Sequence, residues 1–178
     1  NGWKRQKQTH RLISTIYHMD KPVIAAVNGA ASGLGCDLAL ACDFIMAGPA
    51  ASFSMTYLRR GLIPDGGGLY FLPRRVGTTR AKELIFSART IAADEAEQIG
   101  LADRLADADT LLDDACQWAK SLCFGPASAV ALSKSILNRS VDLPLETVFA
   151  LGSEAQSICY ASDEHHDAVT AFLEKSSR

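Results

Sequence analysis

The sequence lacks the features that mark several classes of protein. Its apolar residues never form the uninterrupted run of about 18–20 that a membrane-spanning helix needs. It has no run of basic residues and its formal net charge is −2, so neither a membrane nor a nucleic acid is expected as a partner. No signal peptide is recognisable at Asn1, although the chain begins like the middle of a domain, so an organellar targeting segment before Asn1 stays open.

Cysteine and histidine are sparse and irregularly spaced. The five cysteines form no C-x-x-C pair, and their odd number does not resemble a disulfide framework. Because there are only four histidines besides, we expect no zinc site and predict no metal site of any kind. Free thiols buried in a reducing compartment are the simpler interpretation, which favours a cytoplasmic protein. The cysteines are Cys36, Cys42, Cys116, Cys123 and Cys159.

The predicted fold is centred on the segment KPVIAAVNGAASGLGCDLALACD, from Lys21 to Asp43. Val23–Val27 predicts a strand buried on both faces, followed by a glycine-rich turn and a helix from about Gly33 to Ala41. A helix that begins at such a turn directs unpaired N–H groups and its positive dipole end towards an anionic or polar ligand. The glycine spacing matches neither G-x-x-x-x-G-K-[ST] nor G-x-G-x-x-G, so a nucleotide phosphate is not favoured.

The elements after this segment change from mixed α/β to helical. Strands are predicted at Asp43–Met46 and Ala51–Ser54, a loop at Gly61–Gly68 (GLIPDGGG), and a helix starting at Thr90–Ala96. A length of 178 residues, 48% of them apolar, suits one domain with a helical appendage. Further helices are predicted over residues 1–20, 69–76, 79–87, 110–122, 126–138, 144–160 and 163–175.

The segment NGAASGLGCDLALACDFIMAG resembles the signature of the crotonase family, also called the enoyl-CoA hydratase/isomerase superfamily. The family pattern is N-G-x-A-x-G-G-G-x-x-L-A-L-x-C-D, and the likeness continues through ASFSMTYLRRGLIPDGGGLYFLPRRVG and TIAADEAEQIGLADRL to the end of the chain. The resemblance implies an α/β fold, a crotonase-like spiral of ββα units followed by a C-terminal helical trimerisation region. Residues 1–125 would be part of the ββα core, and residues 126–178 the helical region.

The resemblance also implies partners and a missing segment. The expected partner is an acyl-CoA thioester, coenzyme A being part of the substrate, so that no separate cofactor is predicted. The expected assembly is a homotrimer or hexamer. Family members begin with further strand–turn–strand–helix units, so a complete domain is not expected to start at Asn1.

An oxyanion hole is implied at the start of the central helix. In the family, the backbone N–H at the middle of the G-G-G binds the thioester carbonyl, and that position is Leu34 here. Since the family usually has glycine there, we expect the Leu34 side chain to point away from the thioester. The second N–H donor is expected from residues before Asn1.

Asp65 is the first candidate for proton transfer. Its glycine-rich loop lets the backbone approach a ligand, and a carboxylate in an apolar pocket can act as a general base and acid. An aspartate after a proline is also a common turn residue. The resemblance favours the first interpretation, because I-P-D-G-G is where family isomerases and aryl-CoA dehalogenases carry their catalytic aspartate.

Asp37 and Tyr57 occupy the positions where family hydratases carry two catalytic glutamates. A phenol has a pKa of about 10 and is a poor base for activating water. Tyr57 in place of a glutamate therefore disfavours hydration. Asp37 is either catalytic or an acid favoured by the helix dipole. Tyr57 is expected to line the acyl pocket.

These residues predict an acyl-CoA isomerase. Asp65 would move a proton through an enolate, shifting a double bond or opening an epoxide-like ring, as in the isomerases of fatty-acid and phenylacetate degradation. Three alternatives stay open: an enoyl-CoA hydratase or other crotonase-type enzyme, an enzyme with Asp65 as nucleophile, and a non-catalytic acyl-CoA-binding or assembly homologue. The substrate contacts that the resemblance implies are Gly33, Tyr57, Leu62, Gly66 and Gly67, with Phe172 near adenine and Lys175 near a CoA phosphate.

Overall fold

The structure is a computed structural model that describes residues 2–176 and their side chains as far as residue 174. It divides into two compact units, Asn1–Lys120 and Ser121–Arg178. The strands are β1 (Ile24–Val27), β2 (Ala30–Ser32), β3 (Phe44–Ala47), β4 (Ser52–Ser54), β5 (Thr90–Ala92) and β6 (Arg104–Leu105). The helices are α1 (Gly2–Tyr17), α2 (Leu34–Ala41), α3 (Gly68–Val76), α4 (Thr78–Ser87), α5 (Ala93–Gln98), α6 (Leu111–Leu122), α7 (Ala127–Ser140), α8 (Leu145–Tyr160) and α9 (Asp163–Ser176), with a 3₁₀ turn at Thr56–Arg60.

The first unit holds two small sheets. One has the strand order β1-β3-β6 and is parallel throughout, with Ile24 opposite Phe44 and Val27 opposite Ala47. The other has the order β2-β4-β5, in which β4 is parallel to β2 and antiparallel to β5. Helix α2 follows β2 and leads into β3, so it connects the two sheets. The predicted parallel pair and the helix between its strands are thus confirmed, and the mixed α/β class with C-terminal helices is as expected.

Three local expectations are wrong. Thr90–Ala92 was expected to begin a helix but is strand β5, and α5 begins only at Ala93, because Ile91 pairs with Phe53 and both are buried in the core. The glycine-rich turn before α2 contains strand β2, which pairs with β4. The strand predicted at Val23–Val27 is only partly buried. The reason is that β1 is an edge strand of its sheet in the described part of the chain.

The core of the first unit fixes helix α2 in place. Cys36, Ala39 and Leu40 of α2 pack into one apolar cluster with strand residues such as Ile45 and Phe53. Burying a large aliphatic or aromatic side chain contributes about 1.5–3 kcal/mol, so these contacts hold the helix firmly against both sheets. The N-terminus of α2 therefore has a fixed position.

The second unit contains helices α7, α8 and α9. Several of its large apolar side chains are more than half exposed, among them Leu137, Phe149 and Ile158. In residues 2–176, none of the helices is both long enough and apolar enough to cross a lipid bilayer.

Candidate active site

The turn into helix α2 depends on Gly33. Its φ of 54° and ψ of −118° suit glycine, and an added Cβ would lie 3.3 Å from Thr56 Oγ1. The Gly33 N–H donates to the Ser54 carbonyl at 2.9 Å, and the Gly33 carbonyl accepts the first two helical bonds. Leu34 is the first helical residue, so its N–H has no acceptor within the helix.

Asp37, one turn into α2, is completely buried. Its Oδ2 accepts a hydrogen bond of 2.5 Å from the Tyr57 hydroxyl. Its Oδ1 has no partner in hydrogen-bond geometry among the described residues. Burial raises the pKa of this carboxyl to about 6. The hydrogen bond from Tyr57 opposes the rise, and the charge of Asp65 adds to it. The N–H groups of Gly68 and Gly66, which face the carboxylate, lower the pKa slightly.

Tyr57 stays protonated in this environment. Burial raises the pKa of its phenol far above the ordinary value, and the hydrogen bond to Asp37 and the charges of Asp37 and Asp65 add to the effect. The phenol is therefore a hydrogen-bond donor at neutral pH and not a base. This agrees with the argument that Tyr57 cannot activate water.

The glycine-rich loop before α3 closes tightly on the start of α2. A Cβ on Gly66 would collide with Asp37 Oδ2 and lie 2.9 Å from Leu34 Cδ1. A Cβ on Gly68 would lie 2.5 Å from Asp37 Oδ1. Only glycine at these two positions lets the loop approach so closely, and the approach brings Asp65 to the N-terminal end of α2.

Helix α1 fixes the loop from the other side. His10 Nε2 donates a hydrogen bond of 2.9 Å to the Asp65 carbonyl. Further along the helix, Ile13 is buried, and the Tyr17 ring packs on Phe71 with centroids 5.2 Å apart. Residue Asp65 is therefore held between α1 and α2.

A cleft of about 360 Å³ lies between α1 and the loop. It brings together four of the residues predicted from the sequence: Leu34, Tyr57, Leu62 and Asp65. Asp37 does not line it, because its side chain lies behind Tyr57 and the loop glycines. The lining is completed by Gly2, Arg5, Gln6, Thr9 and Ile63.

The other predicted substrate contacts lie elsewhere. Gly33 and Gly66 are buried and Gly67 is half-buried, and none of the three lines the cleft. The Leu34 side chain was expected to point away from the site, but its Cδ1 lies beside Gly66 of the loop that carries Asp65. Phe172 is exposed on α9 of the second unit, and the side chain of Lys175 lies outside the described part.

Helix α1 contributes a wall of the cleft that was not predicted from the sequence. Arg5, Gln6 and Thr9 form this wall, but every residue from Lys4 to Arg11 is polar, so no spacing in the sequence marked these three. His10 on the same helix anchors the loop. In residues 2–176, no group of three or more His, Cys, Asp and Glu side chains is arranged to hold a metal ion.

Comparison with known proteins identifies the family. A family model described as enoyl-CoA hydratase/isomerase matches residues 3–178. The short-chain-enoyl-CoA hydratase of Clostridium acetobutylicum is 41% identical over 157 residues, which are 88% of this chain and 60% of that protein. The 1,2-epoxyphenylacetyl-CoA isomerase of Escherichia coli K12 is 36% identical over 176 residues, which are 99% of this chain and 67% of that protein.

A solved structure agrees with the sequence relatives. The enoyl-CoA hydratase/isomerase from Cupriavidus metallidurans CH34 superposes with a TM-score of 0.91 at 42% identity, covering 97% of this chain and 65% of that one. The chain thus spans less than two thirds of the length of this structure and of the C. acetobutylicum relative. Its parallel strands, its glycine turn into α2 and these matches lead to one conclusion: the chain belongs to the enoyl-CoA hydratase/isomerase, or crotonase, family and has its fold.

Proposed function

We propose that this chain carries the reaction site of an acyl-CoA isomerase in which Asp65 moves a proton along the acyl group. The observation that carries the proposal is the placement of the two carboxylates. Asp65 is the only acidic side chain among the described residues that line the cleft, whereas Asp37 is enclosed behind Tyr57.

The proposed reaction begins with the thioester carbonyl at the Leu34 N–H. A donor placed where negative charge develops stabilises the enolate. Asp65 takes a proton from one carbon and returns it to another, so that the double bond moves and the composition is unchanged. The apolar side chains of Leu62 and Ile63 border the same cleft and would keep water away from the enolate.

Hydration is the second candidate, and the relatives favour it. Several of them are named as hydratases, including that of C. acetobutylicum and a crotonyl-CoA hydratase of Syntrophomonas wolfei that is 38% identical over 165 residues. Asp37 with a pKa of about 6 has the acidity of a useful base near neutral pH. Its burial argues against this role, because a water molecule would have to pass Tyr57 and the loop to reach it.

Chromatography of the products, coupled to mass spectrometry, separates the two candidates. The full-length protein is incubated with matched 2-enoyl- and 3-enoyl-CoA substrates. Isomerisation interconverts them without a change of mass, whereas hydration adds one water. A trapped covalent acyl-enzyme would favour Asp65 as a nucleophile, and acyl-CoA binding without any turnover would favour a non-catalytic homologue.

Assembly and cofactor use are part of the same proposal. The exposed apolar side chains of α7 and α8 support a homotrimer or hexamer, because such surfaces are usually covered in a symmetric oligomer. The substrate brings its own coenzyme A, and no other cofactor is needed for a proton shift. A stable monomer at micromolar concentration in analytical ultracentrifugation would contradict the predicted assembly.

A further inference from the structure

We infer that Arg5 selects acyl groups that end in a carboxylate. The inference rests on the proposed function, since it takes the cleft beside Asp65 to hold the acyl part of an acyl-CoA. It adds a substrate class, the dicarboxylic acyl-CoA thioesters, and a specificity-determining residue on helix α1.

The cleft has two chemically different walls. Leu62 and Ile63 provide an apolar wall on the loop, while Arg5 provides a charged group on α1, with Gln6 and Thr9 beside it. A purely hydrocarbon acyl chain would gain nothing from a cationic wall and would hinder its hydration. A chain with an apolar middle and an anionic end matches both walls.

The Arg5 guanidinium is available for a ligand. The described residues offer it neither a hydrogen bond nor an ion pair, although Asp65 lines the same cleft. Arginine stays charged at any physiological pH, and its planar fork binds a carboxylate through two parallel hydrogen bonds. The protein thus places at the cleft a positive charge that no described residue neutralises.

The position of Arg5 relative to Asp65 is set by the anchored helix. The His10 hydrogen bond to the Asp65 carbonyl fixes one point of α1 beside the reacting carboxylate. Arg5 lies five residues earlier in the same helix, about 7.5 Å along its axis. This offset suits a short acyl chain, whose reacting carbons lie at Asp65 while its far end reaches Arg5.

The test compares two substrates of equal chain length, one ending in a carboxylate and one in a methyl group. We expect the full-length protein to prefer the carboxylate, and Arg5→Gln to lower that preference about 10–100-fold, mainly through KM, since a hydrogen-bonded charge is lost. Arg5→Lys should retain part of the preference. Lys4→Gln, an exposed charge on the same helix that does not line the cleft, is the matched control.

A second arm distinguishes a carboxylate from the phosphates of coenzyme A, which share its anionic chemistry. The same two acyl groups are supplied as N-acetylcysteamine thioesters, which carry no phosphate. If Arg5 binds the acyl carboxylate, its substitution changes the preference in this pair as well. If Arg5→Gln lost activity equally with both CoA substrates and left the phosphate-free pair unaffected, the inference would be overturned. An unchanged preference for the carboxylate substrate would also overturn it.

A binding measurement tests the role of Arg5 independently of turnover. Calorimetry with saturated acyl-CoA analogues, one ending in a carboxylate and one in a methyl group, gives the Kd ratio without turnover. If the protein turns over neither enoyl substrate, the proposed function fails, and the Kd ratio of the wild type and Arg5→Gln still decides the role of Arg5. Equal ratios in the two proteins would refute it.

Discussion

Replacing Asp37 by Asn should change how the stability of the first unit depends on pH. The pKa of the Asp37 carboxyl rises from an ordinary value of 3.8 to about 6 in the folded chain, chiefly through burial. Between these two values the folded state binds more protons than the unfolded state, so the free energy of unfolding falls as the pH rises. The amide has no such titration and removes this dependence.

The size of the effect follows from the pKa difference. A rise from 3.8 to about 6, at about 1.36 kcal/mol per pKa unit, corresponds to about 3 kcal/mol. Asp37 has no exposed surface, so solvent does not screen its charge strongly. The stability of the wild type minus that of Asp37→Asn should therefore fall by about 3 kcal/mol between pH 3.5 and pH 7.5. The new amide can keep its oxygen towards the loop N–H groups and donate to the Tyr57 hydroxyl, so the fold should persist.

Tryptophan fluorescence during urea unfolding measures this difference. Trp118 is nearly buried and packs on Phe44 of β3, with ring centroids 4.9 Å apart, so its emission reports on the first unit. The only other tryptophan, Trp3, is exposed and can be replaced by Phe in all variants. Asp20→Asn, at an exposed aspartate, is the matched control. A difference between wild type and Asp37→Asn that stays constant across the pH range would refute the argument.

Two further substitutions test the contacts around this carboxylate. Tyr57→Phe removes the hydrogen bond to Asp37 and should lower the unfolding free energy by about 1.5–3 kcal/mol at neutral pH, with a smaller loss near pH 5, where the carboxyl is largely protonated. Urea titrations at both pH values would show whether the loss is pH-dependent, and an equal loss at both would contradict the role of the charge. Gly66→Ala adds a Cβ against the Asp37 carboxylate and should destabilise the fold by about 1–3 kcal/mol in thermal unfolding. Gly35→Ala, where an added Cβ meets nothing within 4 Å inside helix α2, should be neutral or stabilising; equal losses in both glycine variants would speak against the close approach of the loop.

Short sequence patterns predicted the strands and helices that form from neighbouring residues. The apolar run before Asn28, the glycine turn and the small apolar residues that follow predict strand β1 and helix α2 to within a residue or two. The signals failed where pairing is non-local. Thr90–Ala92 has no strand pattern of its own and becomes β5 because Ile91 completes the core opposite Phe53.

The site was predictable to the extent that its chemistry follows from short motifs. The family resemblance of the GLIPDGGG loop and of the start of α2 pointed to Asp65 and Leu34, and the cleft contains both. The burial of Asp37 could not be foreseen, because it results from the contact of the loop glycines and Tyr57 with α2 across the fold. The contribution of Arg5 could not be foreseen either, because only the folded chain brings α1 beside the loop.

Exchange of solvent deuterium into the acyl chain tests the role of Asp65 most directly. The full-length protein, Asp65→Asn and Asp37→Asn are compared in D₂O with the same acyl-CoA. General acid–base catalysis contributes about 10²–10⁴ in rate, so Asp65→Asn should lose exchange by that factor while binding acyl-CoA almost unchanged, and Asp37→Asn should lose far less. Wild-type exchange in Asp65→Asn together with its loss in Asp37→Asn would contradict the account and assign the proton transfer to helix α2.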